Sequence, residues 1–148
     1  MVPRGSNASR AGVNVSLIIR GICCLVPGVK GLSENIRVIR IIDRFLEHAR
    51  VFIFNNNNQP EVYLGSADWM IRNIYRRIEV CFPIDNQTMK SEVIGMINLQ
   101  LKDNVQAVTV DDKLNNIPVR ASTAKGGLQS QKAISKLLTA ATKKPTHK

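Results

Sequence analysis

Acidic residues are scarce in this chain and stop at Asp112: 11 Asp and Glu stand against 21 Lys and Arg in 148 residues. The resulting formal charge of +10 makes a cationic partner a poor fit and implies a polyanionic one, whether nucleic acid, anionic lipid, nucleotide or polyphosphate. Charge does not choose among these. Cysteine is also sparse. Cys23 and Cys24 are adjacent, Cys81 stands alone, and no C-x-x-C spacing occurs, which excludes a disulfide framework or a zinc site. All three lie in apolar runs, so buried, reduced thiols are expected, in keeping with a reducing cytosol. No apolar run approaches the ~20 residues that span a bilayer, and nothing resembles a secretory signal. There is no internal repeat, and no low-complexity segment beyond the asparagines at 55–58.

What is present is an ordinary apolar fraction of 44%, enough for a core, in a length that suits one domain. Val2-Pro3-Arg4-Gly5-Ser6 reads as the remnant of a protease-cleavable tag, so residues 1–6 are set apart and the domain is taken as 7–142. The Asn7–Arg10 segment reads as the end of a helix, as a truncated piece of a longer protein would show. Residues 143–148 are expected to form a basic, flexible tail.

Val13–Ile19 is β-rich and continuously apolar in its second half, as in a strand buried on both faces. A loop with Pro27, Gly28 and Gly31 follows. Ser33 is positioned to cap a helix in which Ile36, Ile39, Ile42 and Leu46 recur at helical spacing, with Arg37, Arg40 and Arg44 on another face. Val51–Phe54 is a short apolar strand, so strand, helix and strand predict a right-handed βαβ unit. The polar turn at 55–60 and Val62–Leu64 predict a hairpin. A helical turn near Trp69, a strand over Ile78–Ile84 and a helix over 86–101 capped by Asp85 come next. A strand within Val105–Val110 and a basic helix over Gln129–Ala141 complete the pattern. The alternation predicts an α/β sandwich around a mixed sheet flanked by helices.

Histidine is the scarcest chemically useful residue, with His48 and His147 alone. His147 sits in a lysine-rich end and is set aside. His48 falls between the first expected helix and the strand Val51–Phe54, with Arg50 two residues on. An imidazolium near a helix C-terminus would be a favourable cap, but the neighbouring residues point further.

His48-x-Arg50, an apolar strand, a hairpin, then Gly65-Ser66-Ala67-Asp68, Arg72-Asn73 and Glu79 resemble the phospholipase D superfamily. There, a His-x-Lys motif leads into a strand and a Gly-Ser-x-Asn segment follows. Leu17–Gly28, Ser33–Phe54 and Val62–Pro83 are more specifically similar to the last domain of the polyphosphate kinase family. They carry Arg-Gly-x-Cys, Leu-Glu-His-x-Arg and Ser-Ala-Asp-Trp-Met in that family's order and spacing. Against phospholipase D, Arg50 replaces the motif lysine and Asn55 stands at the motif aspartate position, which tells against phosphodiester chemistry. The kinase family itself carries arginine after this histidine.

The resemblance implies a phospholipase D-like fold and a share in reversible transfer of the terminal phosphate of ATP to inorganic polyphosphate. Two histidines serve that reaction in the family. One becomes phosphohistidine and is expected in the missing N-terminal part of the enzyme. The other, placed at His48, stabilises or protonates the bridging oxygen, which suits a group whose ordinary pKa is ~6.5. Arg20, at the end of the first strand, is implied to grip nucleotide phosphate, with Arg72 a second phosphate-binding candidate. Ser66 is a hydrogen-bond donor near the site, and Asp68 and Glu79 are expected to partner His48 or the arginines rather than a metal. Trp69 and Tyr63 are expected to pack rather than stack on adenine. Magnesium is implied, with ligands outside this chain. The parent is expected as a homo-oligomer in the cytoplasm, with room for peripheral membrane association and no specific nucleic acid. Two rivals remain: a homodimeric phospholipase D-type nuclease or phosphodiesterase, and a non-catalytic polyanion-binding module.

Overall fold

The computed structural model describes residues 2–120 and 126–142. The basic tail at 143–148, with His147, lies outside the described residues. Contacts divide the chain into two compact units, one made of Met1–Arg44 with Leu99–Lys148 and the other of Phe45–Asn98.

The first unit opens with α1 (Val2–Arg10), which runs through the residues read as a tag remnant and ends, as expected, at Arg10. Then come β1 (Val15–Ile18) and β2 (Ile36–Ile41), which pair in parallel with Val15 opposite Ile36. The helix expected from Ser33 is therefore a strand. Isoleucine at 36, 39 and 42 satisfies helical spacing, but four of the six residues of β2 are β-branched and favour an extended chain. Tertiary pairing decides the matter, because β2 is central. Ile36, Val38 and Ile39 are all buried, covering both faces of the strand. Ser33 does not cap a helix either. Its hydroxyl donates to the Val26 carbonyl at 2.6 Å and accepts from the Val29 N–H at 3.1 Å, pinning the loop before β2. Gly28 and Gly31 turn that loop with φ of 75° each, a region that glycine enters without steric cost.

The second unit holds β3 (Arg50–Phe54), β4 (Glu61–Gly65), the short α2 (Ile71–Arg76), β5 (Cys81–Pro83) and most of α3 (Gln87–Leu101). The expected hairpin is present. β3 and β4 are antiparallel with Arg50 opposite Gly65 and Phe54 opposite Glu61, and β5 adds beyond β4. Three asparagines, Asn56, Asn57 and Asn58, make the turn with φ of 39°, 52° and 65°. Asparagine tolerates this left-handed region better than most residues. The cap of α3 is Asn86 rather than Asp85: its Oδ1 accepts the Met89 N–H at 3.0 Å.

The first unit resumes with β6 (Ala107–Val110), β7 (Asn116–Pro118) and α4 (Ser130–Thr142). β6 runs antiparallel to both β2 and β7, giving a mixed sheet in the order β1-β2-β6-β7, while β3-β4-β5 form a separate antiparallel sheet. The α/β class with a mixed sheet holds. The short β7 has no counterpart in the sequence reading. Asp111 builds the turn that creates it, its Oδ1 accepting from the N–H groups of Lys113 and Asn115.

The core of the first unit gathers Ile36, Val38 and Val110 with Val15, Leu17, Ile19, Cys23 and Leu25. The expectation of buried thiols is met by none of the three in full: Cys23 is half-buried against the core. Cys24 and Cys81 are exposed, because Cys24 lies beside the packed Cys23 on an open loop and β5 has no covered face. Among the described residues, no helix is long and apolar enough to cross a membrane.

Candidate functional site

The loss of the expected helix changes the seat of His48. It lies in an irregular segment two residues before β3, exposed, rather than at a helix end. The pairing of β3 with β4 carries Arg50 opposite Gly65, so the loop Ser66–Met70 begins beside the His-x-Arg segment. That is how residues nearly twenty positions apart become neighbours. On its other side Gly65 lets the segment leading into β5 pass close: a Cβ there would stand 3.1 Å from the Val80 carbonyl oxygen.

Asp68 is the hub of this arrangement. Its Oδ1 accepts from both Nε and Nη2 of Arg50, the former at 3.0 Å, and the two side chains form an ion pair. Arg50 Nη1 also donates to the Ala49 carbonyl at 3.2 Å. The Arg50 hydrogen bond holds the Asp68 carboxyl below its ordinary range; partial burial opposes this, and the positive charges of Arg50, His48 and Arg72 reinforce it. The expectation that Asp68 partners an arginine is thus specified as Arg50. Three basic side chains, His48, Arg50 and Arg72, share the field of one carboxylate.

A second polar group lies beside the first. Glu79 accepts from Ser66 Oγ at 3.3 Å through Oε2 and from Asn73 Nδ2 at 2.8 Å through Oε1. Asn73 Oδ1 in turn accepts from Arg72 Nε at 3.4 Å. Asn73 is 5% exposed, the one buried residue of α2. Sequence reasoning gave it no role, although a lone amide between Ile71 and Ile74 on a short helix was a usable signal. Trp69 stacks on Phe52 with ring centroids 5.7 Å apart, and Tyr63 meets Phe54 edge to face at 6.1 Å, in line with packing roles. The Tyr63 hydroxyl donates to Glu61 Oε2 at 2.9 Å, and that carboxylate pushes its pKa up.

Arg20 belongs to the other unit. It stands exposed just past β1, whose ladder is extended by the Ile19 N–H bonding the Ile39 carbonyl at 2.9 Å. The strand-end position matches the sequence reading. A resident magnesium does not fit the acidic residues at hand. Asp68 is engaged by Arg50 and Glu79 by Ser66 and Asn73. Among the described residues no three His, Cys, Asp or Glu side chains converge as a metal site.

Chemically, the second unit offers an exposed imidazole, a guanidinium fixed by a carboxylate, and a further guanidinium steered by a buried amide. That combination suits binding and proton management at phosphate oxygens. The family described as polyphosphate kinase C-terminal domain 2 matches residues 1–131. A polyphosphate kinase from an Exiguobacterium species is 50% identical over 125 residues, covering 84% of this chain and 17% of that protein. One from Vibrio parahaemolyticus is 48% identical over 134 residues, covering 90% of this chain and 19% of that protein. The crystal structure of polyphosphate kinase from Porphyromonas gingivalis superimposes with a TM-score of 0.90 at 43% identity, covering 95% of this chain and 21% of that one. The chain thus spans about a fifth or less of the length of these relatives. It belongs to the family of polyphosphate kinase C-terminal domains.

Proposed function

We propose that this chain supplies one part of the active site of a polyphosphate kinase. The reaction is reversible transfer of the terminal phosphate of ATP to polyphosphate, through a phosphohistidine on a part of the enzyme outside this chain. The observation that carries the reading is the setting of His48: exposed, two residues before β3, and facing the field of the Arg50–Asp68 pair.

In this role the His48 imidazole holds or delivers a proton at the oxygen that bridges the transferred and remaining phosphates. Phosphoryl transfer demands mainly positioning and positive charge around the oxygens. Arg72, in the same unit as His48, supplies that charge, and Arg20 is read separately as a ligand of nucleotide phosphate; both are forks that stay protonated at any working pH. Arg50 has a different task. With Nε and Nη2 committed to Asp68, it braces the segment that carries His48 rather than gripping substrate. The same commitment weighs against a phosphodiesterase that would need this side chain on its phosphate. Magnesium, held by groups outside this chain, would neutralise phosphate charge. The parent is read as a cytoplasmic homo-oligomer.

The test is His48→Ala in the parent enzyme, with initial rates of polyphosphate synthesis. Loss of a proton-handling group typically lowers the rate by about 10²–10⁴-fold. A variant that synthesises polyphosphate at a near-normal rate removes His48 from the catalytic residues.

A further inference from the structure

The assignment of Arg72 to phosphate leaves open what aims it. Arginine has four rotatable side-chain bonds, and an unrestrained fork on a six-residue helix would lose that freedom on binding. Arg72 itself is exposed, yet its neighbour is not. Asn73 is buried and its amide is used at both ends: Oδ1 takes the Arg72 Nε–H, and Nδ2 donates to Glu79. Glu79 lies in the approach to β5, and its other oxygen takes the Ser66 hydroxyl from the loop after β4. Three segments are joined through one buried amide and one carboxylate. Holding Arg72 at Nε leaves its two terminal nitrogens as the outward prongs, and these have no hydrogen-bond partner among the described residues.

We propose that Asn73, backed by Glu79, is a positioning residue that fixes the guanidinium of Arg72 and ties it to Ser66, so that the fork is set before phosphate arrives. This rests on the reading of Arg72 as a phosphate ligand. The amide is suited to the task because it offers an acceptor to the arginine and a donor to the carboxylate at once. Aspartate would repel Glu79, and alanine would leave Glu79 Oε1 and the Arg72 Nε–H without their partner.

The experiment is a double-substitution cycle in the parent enzyme, with KM for ATP and for polyphosphate and kcat measured for Arg72→Ala, Asn73→Ala and the pair. Arg72→Ala is expected to raise one of the two KM values by roughly 10- to 100-fold, the scale of a lost charge-assisted fork. Asn73→Ala is expected to raise the same KM by about 5- to 20-fold, and the pair to be no worse than Arg72→Ala alone, because the amide acts only through the guanidinium. Asn73→Ser keeps a hydroxyl in the buried position without the reach to Arg72. It should reproduce the KM rise, and it carries the test if the alanine variant does not fold. Unchanged KM in a folded Asn73 variant, beside a raised KM in Arg72→Ala, overturns the positioning role. So does an additive cycle. Wild-type constants in Arg72→Ala overturn instead the reading of Arg72 on which this rests.

Discussion

Replacing Asp103 should unfasten the first unit from within. This carboxylate, 2% exposed, precedes β6 and accepts four backbone N–H groups. Oδ1 takes those of Val105, Gln106 and Ala107 at 3.0, 2.8 and 3.1 Å, and Oδ2 takes that of Ser130 at 2.7 Å. One side chain thereby starts a strand and caps α4. Burial disfavours its charge, but the N–H groups of Ser130, Gln106 and Val105 outweigh that and hold its pKa below the ordinary carboxylate value. In Asp103→Ala, the N–H groups of Val105 and Gln106 can turn to water, since both residues are exposed. Those of Ala107 and Ser130, at 3% and 0% exposure, cannot. Two buried orphans at about 1–3 kcal/mol each, the Ser130 N–H being also the lost cap of α4, give roughly 2–6 kcal/mol. For a chain of this size that lowers Tm by roughly 4–24 °C. Asp103→Asn keeps one acceptor but turns an NH₂ toward the Ser130 N–H, so it should fall between the two. The pH dependence has a definite sign. Because the folded pKa lies below the unfolded value of ~3.9, the stabilisation is complete above that value and is lost as pH falls through the folded pKa. Urea melts followed by circular dichroism at pH 7 and pH 3 measure both effects. A penalty below about 1 kcal/mol at pH 7, or one as large at pH 3, refutes the reasoning.

The Arg50–Asp68 pair obeys the same sign at smaller scale. Asp68→Asn should cost on the order of 1 kcal/mol near neutrality and little below the folded pKa, so melting curves that differ equally at pH 7 and pH 3 would deny the ion pair its role. Gly65→Ala should destabilise the β3-β4-β5 sheet by about 1–2 kcal/mol, since its Cβ would press on the Val80 carbonyl; an unchanged Tm would show that the edge yields freely. If the +10 charge forms part of a polyphosphate path, log affinity should fall linearly with log salt, as counterion release requires. Isothermal titration that finds affinity flat between low and physiological salt would remove the electrostatic argument.

The sequence by itself determined the elements whose signals are local. The hairpin of β3 and β4 was legible from Val51–Phe54, the asparagine turn and Val62–Leu64. α3 and α4 were legible from their apolar stripes, and β1 from its unbroken apolar run. The motif residues His48, Arg50, Ser66 and Asp68 were legible as a linear pattern, which is why the family could be read from the chain. Tertiary structure decided the rest. Ile36–Ile41 fits a helix and a strand equally well by spacing, and only the hydrogen bonds offered by β1 on one side and β6, some seventy residues away, on the other make it the central strand. The same nonlocality hid the role of Asp103, whose partner Ser130 follows 27 residues later. It also hid which arginine Asp68 would bind and that Asn73 would be buried. A side chain's neighbours across a sheet or under a short helix are set by packing, and packing leaves no periodicity in the sequence to read.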